Sequence, residues 1–238
     1  MEVTTARPQE DKMLQNKTDA TKSVFYFGKA KAEGNSKMKE ILGGKGANLA
    51  EMVSLGIPVP PGFTISTAVC ARYYDGGRKL PESVWNDVLD NVKTLESEIG
   101  KKFGDATNPL LVSVRSGARV SMPGMMDTIL NLGLNDETTE GLARISQNPR
   151  FAYDSYRRFI QMYSNVVMNM NTSLLETELE DLKDAKKVKL DTELSADDLK
   201  NLCEVFKKRV FENTGKKFPT DPMVQLRGAI TAVFESWN

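Results

Sequence analysis

The chain of 238 residues balances 32 Lys plus Arg against 32 Asp plus Glu, is 40% hydrophobic and contains no histidine. Balanced charge excludes a global field directed at nucleic acid or a membrane surface, and no apolar run approaches the roughly 18 residues that span a bilayer. Without an imidazole, hydrolase triads, most zinc sites and any phosphohistidine step cannot be completed within this chain.

Residues 1–22 are polar and include Glu2, Glu10, Asp11 and Asp19, which reads as a flexible arm rather than an Arg-rich transit peptide or a secretory signal. Val24 to Phe27 (VFYF) predicts a short strand. A loop with Gly34 and Asn35 leads to GGKGANLAEM, Gly43 to Met52, and a helix from Ala47 to Leu55 closed by Gly56. Pro58, Pro60 and Pro61 enforce an extended path to a strand at Phe63 to Ile65. Ser66 is then placed to cap a helix that ends at Gly76-Gly77. Pro81 opens a longer helix with Trp85, Val88, Val92, Leu95 and Ile99 on one stripe. PLLVSVR and DTILNLGL read as strands. After Asn135 strand signals stop: Ala152, Tyr156, Phe159, Tyr163 and Val166 recur at helical spacing, and further helices start near Thr172, Ser195 and Asp221-Pro222. Lys186, Lys187 and Lys189 read as a solvated helix end. Cys70 and Cys203 have no metal-ligand or redox spacing and read as reduced buried thiols of an intracellular protein. The expected organisation is an arm at 1–22, an α/β region at 23–135 and a helical region at 136–238.

Two stretches carry candidate chemistry. In GGKG, glycines allow positive φ and close approach, a helix start offers N–H groups and partial positive charge, and Lys45 adds a full charge. That suits a phosphate, although ligand-free glycine-rich helix entries are common and the pattern is not a Walker A loop. In PLLVSVRSGARVSMPGMMDTILNLG, strand alternation puts Ser113 and Arg115 on one face, with Val112 and Val114 on the other. Arg115 ends the strand either as a planar fork for phosphate or as one half of a structural salt bridge. Ser121, Met122, Pro123, Gly124, Met125 and Met126 read as a mobile loop able to cover a ligand. Asp127 reads as a turn or cap residue rather than a metal ligand.

Taken together, ILGGKGANLAEM, PVPPGFTIST, LLVSVRSGA, SMPGMMDTILNLGLND and FAYDSYRRF resemble the pyruvate, phosphate dikinase family, over roughly residues 24 to 238. The resemblance implies an N-terminal nucleotide-binding part of ATP-grasp type: an α/β (α+β) subdomain followed by a mostly helical one. It also implies the reaction ATP + phosphate + pyruvate giving AMP + diphosphate + phosphoenolpyruvate by way of a phosphohistidine. Lys45 and Arg115 fall on the family's ATP-phosphate-binding cations, and residues 121–126 on its loop over the triphosphate. Implied cofactors are ATP and Mg²⁺, the metal ligands lying outside this chain. Implied partners are the rest of the dikinase polypeptide: a second ATP-grasp lobe, a histidine domain and a barrel for pyruvate, in an enzyme expected to be a homo-oligomer. Neither nucleic acid nor a membrane is an expected partner. The chain thus reads as a fragment, cytoplasmic or, as the alternative, plastidic, and inactive alone. Other readings are a non-catalytic binding module, or the ATP-binding part of a phosphoenolpyruvate synthase or glucan dikinase.

Overall fold

A computed structural model of the chain describes residues 22–29, 31–116 and 128–237. The expected arm before residue 22, the loop at 121–126 and Asp127 lie outside these residues. The chain divides into two compact units: one holds the described residues through Ile99, the other Gly100–Ser116 and the described residues from 128 onward.

In the first unit, strand β1 (Val24–Phe27) pairs antiparallel with β2 (Gly62–Ile65), Val24 opposite Ile65 and Phe27 opposite Gly62. Helices α1 (Lys39–Ser54), α2 (Thr67–Asp75) and α3 (Glu82–Ile99) complete it. All four β1 residues are buried, and α1 and α3 both pack against the strand pair. A run with no polar alternation is therefore stable there. The α3 stripe forms as expected through Val84, Trp85, Val88, Val92 and Leu95, while Ile99 at the helix end is exposed. Glu98 ties α3 to β1: its carboxylate accepts the Tyr26 hydroxyl at 2.9 Å and the Lys29 amide at 2.9 Å. Burial, and after it the Glu98 carboxylate, pushes the Tyr26 phenol above its ordinary pKa. Ser66 occupies the N-cap position of α2 but makes no side-chain cap bond.

In the second unit, β3 (Lys102–Phe103) pairs parallel with β4 (Pro109–Leu110). Strand β5 (Val112–Val114) pairs antiparallel with β6 (Ile129–Leu132), with a register irregularity between Val112 and Val114. The single strand expected over PLLVSVR is thus two, separated at Leu111 and paired to different partners. Its described residues also form the α-helices α4 (Asp136–Ser146), α5 (Pro149–Val166), α6 (Ser173–Lys186), α7 (Ala196–Thr214) and α8 (Pro222–Glu235). Helix α4 went unread in the sequence; Asn135 and Thr138 cap it reciprocally. Ser195 with Asp198 and Asp221 with Pro222 start α7 and α8 as expected.

The core of this unit forms where Tyr156, Phe159 and Tyr163 of α5 meet Phe218 edge-on at ring separations of 5.5–6.5 Å. Buried Arg157 is held by Asp154 at 2.6 Å and by Asp191 at 3.3 Å, and Asp191 also pairs with Lys183 at 3.4 Å. Lys186 of the basic run pairs with Asp198 at 2.6 Å.

The strands after Gly100 group with the helices, and one side chain makes part of that join. Gln225 of α8, fully buried, accepts the Gly133 amide at 2.9 Å and donates to the carbonyls of Leu134 and Pro219 at 2.9 and 2.8 Å. It fastens the end of β6 to the helices, so the strands after Gly100 pack with the helical region. Replacing Gln225 by leucine keeps the bulk but strands three backbone groups in a dry site. The unit should lose about 2–4 kcal/mol in denaturant unfolding. A loss below about 0.5 kcal/mol, the range of a surface substitution, would show the clamp to be dispensable.

Candidate functional site

The GGKG stretch leads into a helix as expected, but a short helical piece also precedes it. Helical structure begins at Lys39, but Gly43 has φ 68° and ψ 172°, far from helical values, so α1 is two helical pieces joined at a kink. Only glycine takes that conformation without strain. The second piece therefore starts inside the motif. A helix start directs amide N–H groups and partial positive charge into the space before it. Lys45, exposed in this first turn, adds a full positive charge.

Gly46 has a different reason to be small. It is buried, and a Cβ built there lies 2.8 Å from both Thr64 Cγ2 and Thr64 Oγ1 on β2. Here the close approach expected of the glycines is to the protein's own strand. Buried Leu42 and Ala47, packed with Phe25 of β1, flank the motif and hold it on the strand pair.

The loop in front is pinned at two places. Glu33 and Tyr26 exchange bonds: the Tyr26 amide donates to Glu33 Oε2 at 2.7 Å, and the Glu33 amide donates to the Tyr26 carbonyl at 2.8 Å. The Ser36 amide donates to Glu51 Oε2 of α1 at 3.0 Å. Burial opposes the Glu33 charge, but Lys22, Lys31 and the Tyr26 amide outweigh it and hold the carboxyl at about 2. Sequence reasoning assigned none of these roles, because an isolated glutamate in a loop carries no spacing signal.

In the second unit Arg115 stands directly after β5. Ser113 and Arg115 are both exposed, and Val112 and Val114 are half-buried, as the alternation predicts. Arg115 makes no ion pair with any described residue, so the salt-bridge reading finds no partner among them. The next residue, Ser116, is buried, and its Oγ accepts the indole N–H of Trp237 at 2.9 Å. The geometry thus offers two exposed cations, one at a helix start and one at a strand end. Lys45 belongs to the first unit and Arg115 to the second.

Against known proteins, the family model for the pyruvate phosphate dikinase AMP/ATP-binding domain matches residues 39–84 and 76–238. The chain is 55% identical over 221 residues to the chloroplastic pyruvate, phosphate dikinase of Flaveria pringlei, covering 93% of this chain and 23% of that enzyme. It is 56% identical over 219 residues to pyruvate, phosphate dikinase 2 of Zea mays, covering 92% of this chain and 25% of that enzyme. It is 55% identical over 219 residues to the chloroplastic dikinase 1 of Arabidopsis thaliana, again 92% of this chain and 23% of that enzyme. The chain spans about a quarter of the length of these curated relatives.

The packing of Gly46 on Thr64 can be tested apart from any ligand. At an ordinary helix position Gly→Ala gains about 1 kcal/mol. Here Gly46→Ala should instead cost about 1–3 kcal/mol through overpacking. In a Thr64→Ala background, which removes both contacting atoms, the same change should be neutral or stabilising. Stabilisation by Gly46→Ala in the parent would refute the close approach.

Proposed function

Because the chain belongs to the pyruvate phosphate dikinase AMP/ATP-binding domain family, we propose that it holds the phosphates of ATP through two cations, Lys45 and Arg115. The observation that carries this reading is the family match over residues 39–84 and 76–238, within which exposed Lys45 opens a helix after a backbone break and exposed Arg115 ends a strand. Both roles suit the chemistry. Phosphoryl transfer depends mainly on positioning and on charge held where charge develops, and fixed cations supply both without being consumed. Lysine contributes a compact point charge; the arginine fork meets two phosphate oxygens at once. The loop of residues 121–126 is the proposed cover over the triphosphate. The mix of helices and small sheets accords with an ATP-grasp N-terminal subdomain followed by a helical one, which is the arrangement we propose.

The reaction we propose for a polypeptide containing this chain is ATP + phosphate + pyruvate giving AMP + diphosphate + phosphoenolpyruvate. The chain has no histidine, so an imidazole that accepts a phosphoryl group comes from elsewhere in such a polypeptide. Among the described residues no group of three or more His, Cys, Asp or Glu side chains is placed to hold a metal ion. No helix among the described residues is long and apolar enough to cross a membrane. The Flaveria pringlei and Arabidopsis thaliana relatives are named chloroplastic, which supports a plastid as the alternative to the cytoplasm.

The test is alanine replacement of each cation in a dikinase polypeptide that carries this chain. Lys45→Ala and Arg115→Ala should each slow the ATP half-reaction by about 10²–10³. Each should leave stability within about 0.5 kcal/mol, because both side chains are exposed. Arg115→Lys should restore only part of the rate, since an ammonium cannot make the two-pronged contact. A well-folded Arg115→Ala protein with normal ATP kinetics would end the assignment.

A further inference from the structure

Arg115 sits at a point where its own strand gives it little support. Strand β5 has three residues, its pairing with β6 is irregular between Val112 and Val114, and the last paired positions are Val114 and Ile129. Among the described residues the ladder ends at Val114, one position before the guanidinium. An exposed arginine loses several rotatable bonds' worth of freedom on gripping an anion, and any of that freedom removed beforehand strengthens the grip.

The neighbouring residue supplies a support from far away in sequence. Ser116 is 3% exposed, and its Oγ accepts the Trp237 indole N–H at 2.9 Å. Trp237 is two residues beyond α8, which packs against both β5 and β6 and is anchored in turn by buried Gln225. The residue that follows Arg115 is thus tied by its side chain to the helical part of the same unit. Indole is suited to this: one directional donor on a large flat body that loses little freedom when it packs.

We propose that Trp237 is a positioning residue for Arg115, acting through Ser116 to fix the strand end so that the guanidinium is preorganised for a polyphosphate. This rests on the reading of Arg115 as a phosphate ligand and adds to it the residue that aims it. Trp237 touches no phosphate; it lowers the cost of presenting Arg115.

The experiment uses the 238-residue chain and inorganic tripolyphosphate as probe, with the Arg115 guanidinium followed by nuclear magnetic resonance. Trp237→Phe and Ser116→Ala remove the same hydrogen bond from opposite ends. Each should weaken tripolyphosphate binding about fivefold, the worth of one net hydrogen bond. Each should also speed amide exchange at Arg115 and Ser116 in the ligand-free chain. In an Arg115→Ala background neither should weaken binding further, because the group they position is gone. A merely structural tryptophan would lower the melting temperature and act equally in both backgrounds. If Arg115→Ala binds tripolyphosphate as the parent does, the phosphate reading of Arg115 falls and takes this proposal with it. If Arg115→Ala binds more weakly while Trp237→Phe and Ser116→Ala match the parent, or if their effects add in full to that of Arg115→Ala, the phosphate reading survives and the positioning role is overturned.

Discussion

A helix cannot run through a residue at φ 68° and ψ 172°, and that single constraint at Gly43 gives the first unit a second helix start beside Lys45. The break turns what would be the interior of α1, with its amides occupied by its own carbonyls, into a second helix start with Lys45 in its first turn. Everything around the break keeps it in place. Leu42 and Ala47 sit in a small cluster with Phe25, Gly46 lies against Thr64, and the preceding loop is tied back through Glu33 and Glu51. A backbone held so firmly in an uncommon conformation is preorganised: an anion arriving there need not order the chain that receives it.

The second unit solves the same problem with different materials. Its strands are too short to be rigid alone, two residues each in β3 and β4 and three in β5. Rigidity comes from the helices: the aromatic contact of α5 with Phe218, the buried Arg157 held by Asp154 and Asp191, and Gln225 reaching three backbone groups at the end of β6. The strand end with Arg115 is thereby attached to a helical body. That explains why residues 100–116 belong with the helices in space although their sequence reads as a continuation of the α/β region.

Much of this was legible in the sequence where the signal was local. The VFYF strand, the α3 stripe, the α5 stripe, the caps at Ser195 and Asp221 and the exposure of Ser113 and Arg115 all arise from periodicity and capping chemistry. The misses are equally physical. Helix α4 buries Thr138, Thr139, Gly141 and Ala143 rather than large apolar residues, and its cap uses threonine at the third position, so neither a strong stripe nor a Glu/Gln capping box marks it in the sequence. The early start of α1 was hidden because only about one turn precedes the break at Gly43, too short for a helical stripe to show. The role of Gly46 depends on Thr64, eighteen positions on, and that of Ser116 on Trp237. No sequence window contains both partners.

If Lys45 and Arg115 both hold the phosphates of ATP, as proposed, a ligand complex should show it directly. The direct measurement is a crystal structure of the protein with a non-hydrolysable ATP analogue. Phosphate oxygens should lie within hydrogen-bond distance, about 2.7–3.2 Å, of Lys45 Nζ and of the Arg115 guanidinium. Triphosphate density remote from both side chains, with the analogue bound elsewhere on the chain, would contradict it.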